Sequence, residues 1–161
     1  MRPNSIPNLE EVNRVLSPLS GFKAKAVSGY VPAFLFFDCL RIRNFPTTIT
    51  IRGGKQLDYL PEPDIFHDIF GHVPLHADPI FADFLQTYGK AALLTQDPFH
   101  IERLARVFWF TVEFGLIREN DQLKLYGSGL ISSPGESKHA LESADVERRP
   151  FDLDTVCNTD F

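Results

Sequence analysis

Hydrophobic and polar positions along the chain recur mostly with the period of an α-helix. The first such run follows Asn8, a favourable N-cap residue, and its apolar positions are Leu9, Val12, Leu16 and Leu19. Pro18 lacks a backbone N–H, so we expect it to end this helix. A second helix is predicted to begin at Pro32 and to run through about Arg43, before Pro46 stops it.

The longest helical pattern covers residues 79–117, and prolines divide it into two predicted helices. The first begins at Pro79 and ends near residue 94, and the second begins at the Asp97-Pro98 pair. A last helix is predicted over residues 132–141, because serines precede a proline and a glutamate there. The tail after residue 144 is polar and is expected to be irregular.

Strand patterns are few. Thr and Ile alternate over residues 47–52, which predicts a half-buried strand. Gly53-Gly54 is expected to turn the chain back through Leu57 and Tyr59 as a hairpin. Residues 122–126 predict another short strand, and residues 21–29 form a connector with some strand character. Helices with one small hairpin predict an α+β fold that is mainly helical.

Length and charge restrict the function classes. The chain has 161 residues, the size of one domain. Its formal charge of −5 argues against nucleic acids and anionic membranes as partners. Cys39 and Cys157 provide no disulfide framework, which suits a reducing cytoplasm, and no apolar run is long enough to span a membrane. We expect a cytoplasmic monomer that binds small molecules.

Two histidines in residues 59–75 are the first candidate chemistry. His67 and His72 lie five positions apart in a mostly apolar stretch, behind Asp64 as a predicted N-cap. On a straight α-helix this spacing separates them by roughly 140°. We therefore expect Gly71 to end or loosen the helix, so that His72 turns back beside His67. Hydrogen-bonded core histidines are the alternative, but two such residues together favour a metal site, and the spacing differs from that of zinc peptidases.

Glu113 supplies a third candidate ligand. Its neighbours one helical turn away are the apolar residues Trp109, Phe110, Leu116 and Ile117. A carboxylate buried among such residues is costly unless it meets a cation. An ion pair with Arg106 or Arg118 is the alternative. Two histidines and one carboxylate form the ligand set of non-haem Fe(II) oxygenases, which we favour.

Three stretches carry a strong resemblance to a known family. They are Pro61-Glu-Pro-Asp-Ile-Phe-His-Asp-Ile-Phe-Gly-His-Val-Pro-Leu75, Trp109-Phe-Thr-Val-Glu-Phe-Gly115 and Tyr126-Gly-Ser-Gly-Leu-Ile-Ser-Ser-Pro-Gly-Glu136. Their order and spacing resemble those of the tetrahydropterin-dependent aromatic amino acid hydroxylases, most of all the bacterial phenylalanine 4-monooxygenases. Residues 21–29 and 49–52 extend the resemblance. Catalytic domains of this family are longer, so we expect a single domain, the core of the hydroxylase domain, with C-terminal and N-terminal elements missing.

The resemblance implies a reaction and a set of iron ligands. Members use Fe(II), a tetrahydropterin and O2 to hydroxylate the ring of an aromatic amino acid, and phenylalanine would become tyrosine. His67, His72 and Glu113 match the iron ligands of the family.

The resemblance also implies cofactor-binding residues. Phe36 matches the aromatic side chain that stacks on the pterin, and Val27 and Val31 match residues along its edge. Asp68 matches an acid near the pterin. Taken alone, Phe36 is equally well a core residue of the second helix, and Asp68 a solvated helix residue.

Substrate-binding residues follow in the same way. Arg52 matches the residue that pairs with the substrate carboxylate, a task suited to a guanidinium. Trp109 and Phe114 match residues around the amino acid ring, and Gly129 and Ser132 match a loop that closes over the substrate. Without the resemblance, these would be an exposed arginine, core aromatics, a turn glycine and a helix cap.

Three other functions compete with phenylalanine hydroxylation. The nearest is the same chemistry on tryptophan. The second is a truncated, inactive module that binds metal or pterin, and the third is a hydrolase with zinc at the same ligands. Formation of tyrosine from phenylalanine that requires iron, pterin and O2 would distinguish phenylalanine hydroxylation from all three.

Overall fold

The computed structural model describes residues 5–54, 62–94 and 96–160. The first half contains helix α1 (Leu9–Ser20), strand β1 (Lys23–Val27), helix α2 (Ala33–Arg41) and strand β2 (Asn44–Thr48). A π-helical segment, the His segment (His67–His72), runs directly into the short helix α3 (Val73–His76) and is followed by α4 (Pro79–Ala92).

The second half begins with α5 (Pro98–Phe108), which continues as a second π-helical segment, the Glu segment (Trp109–Glu113). Strands β3 (Leu116–Glu119) and β4 (Gln122–Leu125) follow, and helices α6 (Ser128–Ile131), α7 (Pro134–Glu142) and α8 (Leu153–Asn158) complete the described chain. The prediction of an α+β fold that is mainly helical is confirmed.

Local cap chemistry sets most helix starts. The Asn8 side chain accepts a hydrogen bond from the Glu10 N–H at 2.8 Å, and Asp97 accepts one from the Phe99 N–H at 3.0 Å. The predicted starts of α1 and α5 are confirmed, because each depends only on residues next to it in the sequence. Helix α7 begins in the predicted serine pair, but its cap is Ser133, which accepts from the Glu136 N–H, and not Ser132.

Pro18 does not end α1. The helix continues through it to Ser20 and ends where Gly21 adopts a left-handed φ of 77°. A proline so near the C-terminus removes only one helical hydrogen bond, whereas Gly21 can take the conformation that ends a helix.

The strand predicted over residues 47–52 is wrong in position. Strand β2 covers Asn44–Thr48 and pairs in parallel with β1, with Lys23 opposite Asn44 and Val27 opposite Thr48. Pro46 lies within β2, which is possible because a two-stranded sheet leaves each strand one open edge. The return arm of the predicted hairpin, through Leu57 and Tyr59, lies outside the described residues.

The hairpin that the structure contains is β3–β4, antiparallel and joined by Asn120 and Asp121 at φ values of 50° and 62°. The helix predicted through Ile117 therefore ends at Glu113, and residues 116–119 pair with β4 instead. A short apolar run of this kind is compatible with a helix or a strand, and pairing with β4 makes it a strand here.

Two smaller predictions fail in the last third. Residues 128–131 form helix α6 where a turn was expected, and the tail contains α8, whose start Asp152 caps by accepting from the Thr155 N–H. Helix α8 packs on α5, where Arg106 donates to the Cys157 carbonyl at 3.1 Å. Six residues are too few to show a helical period, so this contact was not visible in the sequence.

The main core lies between α1, α2, α4 and the end of α5. Its largest fully buried side chains are Leu16, Phe22, Phe37, Leu40 and Leu85. Two core residues reach the π-helical segments, since Val112 belongs to the Glu segment and the Phe45 ring lies 4.5 Å from the His72 ring. Within the described parts of the chain, no helix is long and apolar enough to cross a membrane.

Candidate metal and cofactor site

The His segment brings the two histidine rings together. Asp64 caps the helical turn over residues 65–66 that leads into it, as predicted, because its Oδ1 accepts from the His67 N–H at 2.9 Å. The wide π-helical turn, with its i→i+5 hydrogen bonds, then places residues five apart on nearly the same side. His67 Nε2 and His72 Nε2 consequently lie 3.1 Å apart.

The helix was expected to end or loosen at Gly71, and the structure shows that it does not end there. The backbone continues through the His segment into α3, and the widened turn, not a break, moves His72 beside His67. Gly71 instead permits close packing of α6, because a Cβ there would lie 2.9 Å from the Ser128 carbonyl oxygen. The Ser128 hydroxyl donates back to the Gly71 carbonyl at 3.0 Å.

Glu113 reaches the same point from the end of the Glu segment. Its Oε1 lies 3.0 Å from His72 Nε2, and its Oε2 lies 3.5 Å from His67 Nε2. One ligand atom from each of the three residues lies within 4.8 Å of the others.

The alternative arginine partners for Glu113 are engaged elsewhere. Arg106 pairs with Glu102 and Asp160, and Arg118 donates to the Asp121 carbonyl. The nearest basic groups to the Glu113 carboxylate are therefore the two imidazoles, which favours the metal-ligand interpretation over the ion pair.

Ser132 fixes the orientation of the His67 ring. Its hydroxyl donates to the Ser128 carbonyl at 2.8 Å, so its oxygen must accept from His67 Nδ1–H, also at 2.8 Å. That tautomer leaves the lone pair on His67 Nε2, the atom that faces His72 and Glu113. Hydrogen bonds of this kind to the second ring nitrogen orient metal-binding histidines.

Burial keeps both imidazoles neutral. It lowers the pKa of His67 to about 4, with a further contribution from His72, and it lowers the pKa of His72 to about 3. Burial also raises the pKa of the Glu113 carboxyl to about 7, and His67 partly offsets that rise. Two neutral imidazole nitrogens and a carboxylate that lacks a fixed cation suit a divalent metal, and this donor set fits Fe(II).

His76 is a buried histidine that the sequence analysis did not single out. It is fully buried, and neither ring nitrogen has a hydrogen-bond partner in the described structure. Its ring stacks on Phe22 and on His72, with centroids 5.2 and 5.8 Å away. His76 is not among the three residues whose ligand atoms converge.

A cavity of about 260 Å³ opens beside the three converging side chains. The residues predicted to bind pterin and substrate that line it are Val27, Val31, Phe36, Arg52, Asp68, Trp109, Phe114 and Ser132. Gly129 does not line the cavity. It lies behind Phe114, where a Cβ would meet the ring at 3.0 Å, so the structure does not bring it into contact with this space.

Phe36 combines its two expected environments, whereas Asp68 has only one of them. Phe36 lines the cavity and packs edge-on against Phe45 and Phe108, at centroid distances of 5.9 and 5.0 Å. Asp68 is 3% exposed, not solvated as the alternative had it, and burial raises its pKa to about 7 although Thr48 hydrogen bonds oppose that rise. Both residues therefore belong to the wall of the cavity.

Arg52 is buried and paired. Its Nε and one Nη donate to the two Asp64 carboxylate oxygens at 2.9 and 2.8 Å, and another Nη donates to the Ser132 carbonyl at 3.2 Å. Burial raises the pKa of Asp64, but the bonds from Arg52 and His67 bring it below its usual value. From the sequence, Asp64 was predicted only as a helix cap. Its ion pair with Arg52 joins residues that are not neighbours in the sequence, so no short motif indicated it.

Comparisons with known proteins agree with this arrangement. The family model described as "Biopterin-dependent aromatic amino acid hydroxylase" matches residues 1–161. Phenylalanine-4-hydroxylase from Chromobacterium violaceum is 45% identical over 154 residues, which are 96% of this chain and 52% of that protein. Tyrosine 3-monooxygenase from Rattus norvegicus is 47% identical over 155 residues, 96% of this chain and 31% of that protein.

Solved structures show the same similarity. Chromobacterium violaceum phenylalanine hydroxylase with bound iron(III) and oxidised 7,8-dihydrobiopterin has a TM-score of 0.94 at 43% identity, covering 99% of this chain and 58% of that one. The apo enzyme from Colwellia psychrerythraea 34H has a TM-score of 0.92 at 40% identity, covering 100% and 61%. The chain spans about half the length of the bacterial phenylalanine-4-hydroxylases it matches.

Proposed function

Because the chain belongs to the family of biopterin-dependent aromatic amino acid hydroxylases, we propose that it is an Fe(II)- and tetrahydropterin-dependent monooxygenase that converts L-phenylalanine to L-tyrosine with O2. The observation that carries this proposal is the convergence of His67, His72 and Glu113 beside an aromatic cavity. The iron and dihydrobiopterin bound by the Chromobacterium violaceum enzyme support the choice of cofactors.

His67, His72 and Glu113 would hold the iron, which supplies the activation of O2 when it is bound. The chain itself presents two neutral imidazoles, because burial disfavours their protonated forms. Ser132 keeps the Nδ1 proton on His67, so the Nε2 lone pair stays directed at the metal position.

The cavity offers matching surfaces for two flat molecules. Phe36 would stack on the pterin with Val27 and Val31 along its edge, and the Asp68 carboxylate would accept hydrogen bonds from it. Aromatic side chains bind flat rings favourably by stacking and exclude water from the reaction.

Arg52 and the aromatic pair would bind the amino acid. Asp64 holds the Arg52 guanidinium in a fixed orientation, so little rotamer entropy is lost when a substrate carboxylate binds. Trp109 and Phe114, whose ring centroids are 4.7 Å apart, would form the ring pocket. We propose that Ser132 and Gly129 close this region, Gly129 through the space it leaves for Phe114.

The relatives favour phenylalanine as substrate over tryptophan. The similarity to tyrosine 3-monooxygenase makes tyrosine the second candidate. We also propose a single catalytic domain, since the family match covers the whole chain, and a cytoplasmic monomer. Both described cysteines are free, which is compatible with that compartment.

An aerobic assay tests the reaction directly. The purified, Fe(II)-loaded chain is incubated with a tetrahydropterin and with Phe, Trp or Tyr in parallel, and amino acid products are separated by chromatography. We expect tyrosine from phenylalanine, no product without pterin, and none from a Glu113→Ala variant. Absence of any hydroxylated product from iron-loaded, folded chain would contradict the proposed activity.

A further inference from the structure

We propose that Thr48 is a positioning residue for pterin binding. It holds one oxygen of the Asp68 carboxylate and so directs the other oxygen to the ligand. This inference rests on the proposed function, because it assumes that the cavity binds a pterin. It assigns a role to a residue that the motifs and the resemblance did not single out.

Two hydrogen bonds carry the inference. The Thr48 N–H donates to Asp68 Oδ2 at 2.7 Å, and the Thr48 hydroxyl donates to the same oxygen at 2.8 Å. Both residues are buried, at 4% and 3% exposure, so water competes little for these bonds. Two hydrogen bonds on one oxygen, from donors in fixed positions, fix the orientation of the carboxyl plane.

The backbone around Thr48 is itself fixed. Thr48 is the last residue of β2 and lies opposite Val27, the last residue of β1. Both residues line the cavity. The end of the small sheet therefore places the predicted pterin edge and the anchor of Asp68 side by side, although residues 27 and 48 are far apart in sequence.

The remaining oxygen of Asp68 is the one available to a ligand. No described residue donates a hydrogen bond to Oδ1, and Asp68 lines the cavity. The pyrimidine ring of a pterin presents a ring N–H beside an amino group, and a carboxylate oxygen accepts from such donors. Because Thr48 occupies Oδ2, the carboxylate needs no reorientation when the ligand binds, which lowers the cost of binding.

The test compares two neighbouring threonines. Thr48→Val removes the hydroxyl and keeps the branched shape and the backbone N–H, whereas Thr48→Ser keeps the hydroxyl. Thr47→Val is the matched control. Thr47 is also buried, but it does not line the cavity, and its hydroxyl donates to the Phe45 carbonyl. Binding of 7,8-dihydrobiopterin to the Fe(II)-loaded chain is measured anaerobically by titration calorimetry, and Fe(II) affinity is measured separately.

We expect Thr48→Val to weaken dihydrobiopterin binding by about tenfold, as for one hydrogen bond to a charged group. Thr48→Ser and Thr47→Val should bind it as the wild type does, and Fe(II) affinity should not change in any of the three. In an Asp68→Asn background, Thr48→Val should have little further effect on dihydrobiopterin affinity, because the two residues act together. The KM for pterin should rise in Thr48→Val while the KM for phenylalanine stays the same.

Unchanged dihydrobiopterin affinity in Thr48→Val overturns the inference and leaves the proposed function intact. An equal loss of Fe(II) and pterin affinity also overturns it, since that result indicates a general structural role. Failure of the folded, iron-loaded wild type to bind any pterin is a different result, because it contradicts the proposed function as well.

Discussion

The His segment and the Glu segment both widen a helical turn, but they fix their side chains in different ways. His67 and His72 belong to one segment, whose widened turn brings their Nε2 atoms within 3.1 Å while Ser132 orients the His67 ring. Glu113 ends its segment alone, and the backbone beyond it packs against Gly127. The histidine pair is thus a local structure, whereas the third ligand depends on tertiary packing.

The largest expected effect comes from disturbing the packing behind the Glu segment. In Gly127→Ala, the new Cβ would lie 2.5 Å from the Gly115 nitrogen and 2.6 Å from the Glu113 carbonyl carbon. Backbone atoms cannot move aside as a flexible side chain can, so we expect a loss of about 3 kcal/mol in the free energy of unfolding. Urea denaturation of the metal-free chain measures it.

Two other glycines calibrate that result. Gly71→Ala meets the Ser128 carbonyl oxygen at 2.9 Å and should cost about 1 kcal/mol, because α6 is short and can shift. In Gly54→Ala, the new Cβ meets no atom of the described residues within 4 Å, and we expect stability to change by less than about 0.5 kcal/mol. Equal losses in the free energy of unfolding for Gly127→Ala and Gly71→Ala would contradict the comparison, because they would show that the Glu segment and the His segment are packed equally tightly.

The second effect concerns the hydrogen bond that Ser132 makes with the His67 ring of the His segment. In Ser132→Ala, His67 Nδ1 loses its partner, so we expect Fe(II) affinity to fall by roughly 10–100-fold. Competition with a chelator of known affinity measures this. Ser137→Ala is the control, because its hydroxyl donates to the Leu130 carbonyl and not to a histidine. Wild-type affinity in Ser132→Ala would mean that the local turn alone orients His67.

The smallest effect tests the buried ring beyond the His segment. His76→Leu replaces a polar ring without hydrogen-bond partners by an apolar side chain among aromatic rings. We expect the free energy of unfolding to rise by about 1 kcal/mol, because no unpaired donor remains buried. The exposed His139 is the matched control, and His139→Leu should leave stability nearly unchanged. A loss of stability in His76→Leu would contradict this account.

Features set by neighbouring residues could be predicted from the sequence. The caps at Asn8, Asp64 and Asp97 lie where their side chains predicted them, and the cap of α7 is Ser133, one residue after the predicted Ser132. The five-residue spacing of the histidines also indicated that an ordinary α-helix does not suffice. The way in which the backbone brings His72 beside His67 was not predicted correctly. Gly71 suggested a break, and no sequence pattern distinguishes a π-helical turn from an α-helical one.

Features set by distant residues could not be predicted. The partner of β2 is β1, about twenty residues earlier, and the pair Arg52–Asp64 spans the undescribed stretch between them. Residues 116–119 form a strand because they pair with β4, and α8 is fixed by the hydrogen bond from Arg106 of α5. For Glu113, the sequence predicted both its burial next to apolar residues and its role as a third ligand, but the packing that brings its carboxylate to His72 had no signal in neighbouring residues.

Metal content of purified variants tests the central claim most directly. The wild-type chain, His72→Ala and Glu113→Ala are each loaded with Fe(II) anaerobically, passed through a desalting column and measured by elemental analysis, with circular dichroism to verify folding. The account predicts one iron per wild-type chain and only background iron in both folded variants. Full iron occupancy in either variant would contradict the convergence of these side chains on a single metal ion.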